Sequence, residues 1–176
     1  MQPENSELID KLLVRQATKA DVANLEWGGE LIHFRNLFND AYKNVENGVG
    51  QIWVAELKSH GLVGQAIISL ASNRLDLSDG SERAYLYGFR VMPGFRNRGI
   101  GTWMMQFLES DLCNRGFKKV TLNVARENVK ALRLYSRLGY KVIGTDPGDW
   151  SFIDHEGFQR MVHEPAWRMQ KELRKT

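Results

Sequence analysis

The most informative part of the sequence is the stretch PGFRNRGIGT, residues 93–102, which lies between a strand-like run and an amphipathic helix. Apolar side chains recur after it at the i, i+3, i+4, i+7 and i+8 spacing of one helix face. They are Ile100, Trp103, Met104, Phe107 and Leu108. The N–H groups at a helix start attract anions, and glycines let an anion approach the backbone closely. The stretch therefore predicts a phosphate-binding loop that leads into a helix.

Spacing argues against two common phosphate ligands. Gly94 and Gly99 have the separation of a P-loop, but Ile100 and Gly101 stand where that motif requires Lys and Ser or Thr. A dinucleotide-binding fingerprint, G-x-G-x-x-G, fails because Met104 occupies the place of the third glycine. ATP and NAD are therefore disfavoured as ligands.

A better match is found in a family of enzymes. The run Arg96-Asn97-Arg98-Gly99-Ile100-Gly101 resembles motif A, R/Q-x-x-G-x-G/A, of the GNAT superfamily of N-acetyltransferases. Other features of that family follow in the expected order and spacing: Val91 before Pro93, then Asn128, Tyr135 and Gly139-Tyr140. The resemblance covers residues 85–144 and implies a single acetyltransferase domain over residues 1–176.

The resemblance implies an α/β fold with a mixed, mostly antiparallel central sheet of about six to seven strands. Helices would flank both faces, and the sheet would splay between its fourth and fifth strands. The pattern of the chain predicts strands at 13–17, 51–57, 62–70, 84–92, 120–124 and 140–144, and helices from 100 and over 129–138. Residues 150–153 and 166–173 are expected to complete the sheet at its edge.

The cosubstrate that the resemblance implies is acetyl-CoA. Backbone N–H groups of the motif, together with Thr102, would hold its pyrophosphate; the motif residues are Arg96, Asn97, Arg98, Gly99, Ile100 and Gly101. The main chain of Phe89, Arg90 and Val91 would pair with the pantetheine arm. The Val91 N–H would then point at the thioester carbonyl, where a donor stabilises the developing oxyanion. Asn128 would contact the pantetheine or the diphosphate.

The resemblance also implies that Tyr135 is the catalytic residue, as a general acid that protonates the departing CoA thiolate. It lies seven residues after Asn128, so both fall on one helix face. Free tyrosine and thiol pKa values near ~10 and ~8.5 allow this transfer once the environment assists it. The alternative is a core tyrosine packed under the sheet.

The general base is not identified by the sequence. Many relatives carry a Glu on the strand before motif A, whereas residues 85–89 offer none. N-terminal acetyltransferases of the ribosomal type carry a Glu where this chain has Asn123, which argues against that specificity. The remaining candidates are Glu82 and a water molecule relayed by backbone groups.

Charge is unevenly distributed along the 176 residues, whose net charge is +3. Residues 90–141 hold eleven basic and three acidic residues, a net charge of +8, which leaves −5 for the remainder. An acidic remainder favours a cationic acceptor, such as a polyamine, a Lys-containing peptide or an amino sugar. Trp27, with Glu26 and Glu30 beside it, is a candidate binding point for such a cation.

Other classes of function have weaker support. The single cysteine, Cys113, and the four histidines show no metal-ligand spacing, so no metal is expected. No apolar run approaches the ~20 residues of a membrane helix, and the start does not resemble a signal peptide, so a cytoplasmic location without a membrane partner is expected. The protein is expected to be a monomer or a homodimer and to have no nucleic-acid partner. The alternatives are a non-catalytic acyl-CoA-binding regulatory domain and, because of the basic middle third, a nucleic-acid-binding domain.

Overall fold

The computed structural model describes residues 3–174, which form one seven-stranded sheet, a separate hairpin and flanking helices. The strands are β1 (Leu12–Gln16), β2 (Gly50–Leu57), β3 (Gly61–Ser69), β4 (Arg83–Val91), β5 (Lys119–Ala125), β6 (Lys141–Asp146), β7 (Asp149–Ile153), β8 (Gln159–His163) and β9 (Ala166–Glu172). The helices are α1 (Pro3–Asp10), α2 (Arg35–Glu46), α3 (Ile100–Asn114) and α4 (Val129–Arg137). Short 3-10 segments cover Lys19–Gly29, Ile32–Phe34 and Pro93–Phe95.

The main sheet has the order β1-β2-β3-β4-β5-β9-β6. Its neighbouring strands are antiparallel except for β4 and β5, which run parallel because α3 crosses between them. The predicted fold class is confirmed: the sheet is mixed, mostly antiparallel and covered by helices on both faces.

The expectation for the two late segments is wrong in part. Residues 166–172 form β9, but this strand lies between β5 and β6 inside the sheet, and β6 is the edge strand. Residues 149–153 form β7, which pairs with β8 in a separate hairpin and does not join the sheet. The hairpin is secured to α2, where the Asn36 side chain donates to the backbone carbonyl of Asp154 at 2.7 Å.

The sheet splays between β4 and β5, as the resemblance implies. Pairing joins Arg83–Leu86 to Lys119–Leu122 and goes no further, so the second half of β4 has an open edge. The same half of β4 contains a β-bulge. Tyr87 pairs with Ile67 and Arg90 with Gln65, so β4 has one more residue than β3 between these two pairs. Gly88 adopts φ 61° there, a conformation that glycine reaches without a steric penalty.

Two hydrophobic cores lie on opposite faces of the sheet. On the face covered by α3 and α4, Met104, Leu108 and Leu112 are fully buried against the strands. On the other face, Phe38 of α2 packs with Leu25 and with strand residues of β2 and β3. We call these the α3/α4 face and the α2 face. Within residues 3–174, no helix has the length and apolar character to span a membrane.

Candidate active site

The loop before α3 presents unpaired backbone donors to solvent. Gly99 precedes the helix with φ 87°, and Asn97 has φ 62°. The first helical hydrogen bond runs from the Trp103 N–H to the Gly99 carbonyl at 3.0 Å. The N–H groups of Ile100, Gly101 and Thr102 precede it and have no acceptor within the helix. This arrangement suits an anion, because the positive end of the helix dipole lies at the same place.

Gly101 lets the start of α3 pack closely against the splayed strand. A Cβ at this position would lie 3.4 Å from the Phe89 ring and 3.6 Å from Leu134. The bulge at Gly88 places Phe89 on the α3/α4 face, where its ring centroid lies 6.2 Å from that of Tyr135. The residues of motif A, the strand and α4 therefore meet at the open part of the sheet.

The two arginines of the motif differ in their contacts. Arg96 donates from Nε to the Val91 carbonyl at 2.8 Å, which ties the loop to the end of β4. Arg98 is exposed, and its guanidinium lies 5.9 Å from the centroid of the Phe95 ring. Arg98 thus adds positive charge beside the free N–H groups, whereas Arg96 also has a structural contact.

The Val91 N–H points into the splay. The Met92 N–H donates to the Val63 carbonyl at 2.8 Å, so Met92 and Val63 are a hydrogen-bonded pair. Such pairs alternate with non-hydrogen-bonded pairs in an antiparallel ladder, which makes Val91 and Gly64 a non-hydrogen-bonded pair. The N–H and C=O of Val91 therefore point away from β3, and the contact of the carbonyl with Arg96 agrees with this direction.

Tyr135 is buried, with 7% of its surface exposed, and its ring packs edge-on against that of Tyr140 at 5.6 Å. Burial raises the pKa of its hydroxyl well above the usual value, so the group stays protonated at neutral pH. Among the residues that the structure describes, none forms a hydrogen bond with this hydroxyl. The Tyr135 ring therefore packs in the core, as the alternative interpretation predicts, while its protonated hydroxyl can still donate a proton.

Asn128 has a structural function that the sequence analysis did not include. Its Oδ1 accepts a hydrogen bond from the Ala131 N–H at 3.1 Å and so caps α4. The residue is exposed, and its amide NH₂ is not needed for the cap.

Glu82 lies at the wrong end of β4 to serve as the general base. Its carboxylate pairs with Lys118, beside the closed, parallel-paired part of the sheet. Val91 comes nine positions after it, which is roughly 25–30 Å along a strand. Burial raises the pKa of Tyr87 to about 12 and also raises that of Tyr85, so neither replaces it as a base. Asn123, which stands where relatives of the ribosomal type carry a Glu, uses its Oδ1 to accept a hydrogen bond from Arg168 Nε at 2.6 Å.

The cation site expected at Trp27 is not supported. Trp27 is buried with φ 50°, and the Glu26 carboxylate binds Arg35 at 2.6 and 2.9 Å. This ion pair leaves little negative charge for a ligand. Among the described residues, no cluster of His, Cys, Asp or Glu side chains has the geometry to hold a metal ion.

The sequence analysis missed an aromatic cluster on the α2 face. Phe34 lies between α2 and the hairpin, with ring centroids 5.0 Å from Phe152 and 6.5 Å from Trp150. We expected Trp150 to pack in the sheet, whereas it lies on the separate hairpin and is 38% exposed. The alternation of Trp150 and Phe152 in the sequence signals one face of a strand, but it does not show which element that face covers.

Comparisons with known proteins agree with this geometry. The sequence profile of the acetyltransferase (GNAT) family matches residues 19–140. Three solved structures have a similar fold. An N-acetyltransferase from Staphylococcus aureus Mu50 is 15% identical with a TM-score of 0.69, and the match covers 93% of this chain and 99% of that one. The ribosomal-protein-S18-alanine N-acetyltransferase from Escherichia coli is 17% identical with a TM-score of 0.68 and coverages of 94% and 96%, and the spermidine/spermine N-acetyltransferase SpeG from Vibrio cholerae is 18% identical with a TM-score of 0.67 and coverages of 94% and 95%. At these identities the structural similarity concerns the fold.

Proposed function

The chain belongs to the GNAT family of acetyltransferases, and on this basis we propose that it transfers the acetyl group of acetyl-CoA to the nitrogen of an amine. The observation that carries the proposal is the open half of β4, where the Val91 N–H points into the splay beside the loop of free N–H groups. A phosphate-bearing thioester needs both features, one to bind its phosphates and one to polarise its carbonyl.

The residues present fit acetyl-CoA as a cosubstrate. The N–H groups of Asn97, Arg98, Gly99, Ile100 and Gly101, with Thr102, would bind the pyrophosphate, and the exposed Arg98 adds positive charge there. The Arg96 N–H, which the sequence analysis included, instead donates to the Pro93 carbonyl at 3.3 Å. The open edge of Phe89, Arg90 and Val91 would pair with the amide groups of the pantetheine arm. Acetyl-CoA supplies an activated acetyl group and a thiol leaving group.

The residues of this chain would contribute two donors to the transfer. The Val91 N–H donates to the thioester carbonyl oxygen as negative charge develops there. The Tyr135 hydroxyl, kept protonated by burial, gives a proton to the departing sulfur. Since Glu82 lies elsewhere, water takes the proton from the attacking amine.

The acceptor is an amine of a small molecule or a peptide. Among proteins of this fold, one acts on a ribosomal protein and another on spermidine or spermine, according to their names. The cationic acceptor stays a prediction, because it rests on the net charge of −5 outside residues 90–141 and on no residue at the splay. Cytoplasmic location and the monomeric or homodimeric state stay predictions.

The test is turnover of acetyl-CoA with a panel of amines, peptides and amino sugars, followed by release of free thiol and by mass spectrometry of the acceptor. The proposal predicts thiol release that depends on the amine, with a gain of one acetyl group on its nitrogen. Tight acetyl-CoA binding without turnover of any amine would favour a non-catalytic acyl-CoA-binding domain.

A further inference from the structure

Arg90 carries a partly buried positive charge on the α2 face. Its guanidinium carbon lies 4.8 Å from the centroid of the Phe34 ring, and its Nη1 donates to the Gly88 carbonyl at 3.3 Å. Among the described residues, no carboxylate lies within ion-pair distance of Arg90. Glu164, an exposed residue after the hairpin, is the acid whose charge acts on it. Burial lowers the pKa of Arg90, which shows that the charge is held at a cost in solvation.

Gln65 lies directly opposite Arg90 on β3, so the two side chains share one face of the sheet. The glutamine is fully buried, and neither its Oε1 nor its Nε2 has a hydrogen-bond partner among the described residues. A buried amide without a hydrogen-bond partner destabilises the fold. Among the described residues, a guanidinium without an ion-pair partner and an amide without a hydrogen-bond partner are therefore neighbours in one patch on one face of the sheet.

An apolar wall borders this patch. Phe34, which lies under the Arg90 guanidinium, contacts Phe152 and Trp150 of the hairpin. The rings of Trp150 and Phe152 lie 5.4 Å apart, and Trp150 is partly open to solvent. A ligand that satisfied Arg90 and Gln65 would place its apolar part against these rings.

The patch lies next to the point of acetyl transfer. Arg90 directly precedes Val91, and consecutive Cα atoms are about 3.8 Å apart. The Val91 N–H points along the sheet into the splay, whereas the Arg90 side chain extends from the α2 face. A group bound by Arg90 would therefore lie on the face opposite α3 and α4, within the length of one arginine side chain from the backbone next to Val91.

We propose that the acceptor is a small amine that also carries a carboxylate, bound by Arg90 and Gln65, and an aromatic or branched aliphatic side chain, bound by Phe34, Trp150 and Phe152. This inference rests on the proposed acetyltransferase function and specifies its substrate. In the reaction the amine nitrogen forms a bond to the acetyl carbon while the C–S bond breaks. The products are an N-acetyl amino acid and CoA thiol; the amine loses one proton to water and the sulfur gains one from Tyr135.

The test compares each amino acid with the amine that lacks only its carboxylate. Phenylalanine is paired with phenethylamine, tyrosine with tyramine and leucine with isoamylamine, while spermidine and phosphoethanolamine serve as separate arms. Because the guanidinium would bind the carboxylate, we expect at least one amino acid to exceed its partner amine by about tenfold or more in kcat/KM, as typical for a charge-assisted hydrogen bond.

Variants identify the residue responsible. Within one variant, Arg90→Met should abolish the preference, so that kcat/KM for the amino acid falls by about tenfold or more relative to kcat/KM for its partner amine. Arg137→Met, which removes an exposed guanidinium from the last turn of α4, is the control and should keep the preference. Gln65→Leu should lower kcat/KM for the amino acid without lowering Tm, whereas a purely structural glutamine would lower Tm.

The possible failures are distinguishable. If spermidine, phosphoethanolamine or the simple amines react better than every amino acid, or if Arg90→Met leaves the preference intact, the carboxylate inference is wrong and the acetyltransferase function stands. If no amine of any arm releases thiol, the inference fails, and the proposed function fails with it only if the peptides and amino sugars of the wider panel also release no thiol.

Discussion

Arg168 of β9 is a guanidinium with only 8% of its surface exposed, on the α2 face beside Asn123. It binds Asp76 at 2.9 Å and also pairs with the buried Asp146. Removing one partner of a buried ion pair leaves an uncompensated charge. We therefore expect Asp146→Asn to lower the free energy of unfolding by about 2–4 kcal/mol in urea denaturation.

The control is Asp76→Asn, because Asp76 binds the same guanidinium but has 54% of its side chain exposed. Solvent screens this pair, so the variant should cost less than about 1 kcal/mol. Equal losses in the two variants would show that burial does not determine the strength of this network.

At the scale of elements, Asp21 organises the first turn of the 3-10 segment Lys19–Gly29. Its carboxylate binds Arg15 at 2.7 Å and accepts from the Thr18 N–H at 2.7 Å. The hydrogen bond from Arg15 lowers the pKa of Asp21 below its usual value. The stabilisation is therefore present above the unfolded pKa of about 4 and is lost as the pH falls.

Asp21→Asn should reduce the free energy of unfolding by about 1–2 kcal/mol at pH 7. We would measure the free energy of unfolding of both proteins in urea from pH 7 to pH 3. The difference between them should become smaller as the pH falls below about 4. A difference that stayed constant over this range would mean that the carboxylate charge does not contribute.

The start of α3 has its own test, since Gly101 lies among the free N–H groups. Gly101→Glu adds bulk against Phe89 and a negative charge where phosphate would bind, so acetyl-CoA should bind at least about tenfold more weakly by calorimetry. Gly94→Glu adds the same charge in an exposed turn with open space around its Cβ, and its Kd should change little. Equal increases in the Kd of acetyl-CoA in the two variants would indicate that the phosphates do not bind at the start of α3.

For the whole molecule, the sequence predicts the features that local spacing encodes. The loop, the helix from Ile100 and the helix that carries Tyr135 follow from glycine positions and apolar periodicity over a few turns. The insertion of β9 between β5 and β6 is a long-range pairing that a short apolar run cannot specify. For the same reason, the aromatic cluster of Phe34 with Trp150, the burial of Gln65 beside Arg90 and the position of Glu82 became visible only in three dimensions.

The central claim is that the protein passes an acetyl group directly from CoA to an amine, with Tyr135 as the proton donor. Tyr135→Phe keeps the ring between Phe89 and Tyr140 but removes the hydroxyl. The control Tyr140→Phe makes the same change in the adjacent ring, whose hydroxyl donates a hydrogen bond to Glu109 at 2.9 Å.

The decisive measurement is kcat at saturating acetyl-CoA and acceptor, under conditions in which chemistry limits the rate. We predict that Tyr135→Phe lowers kcat by about 10²- to 10⁴-fold with an unchanged Kd for acetyl-CoA, while Tyr140→Phe keeps kcat within a few-fold. An unchanged kcat in Tyr135→Phe would contradict the account, because the thiolate would then receive its proton from another source.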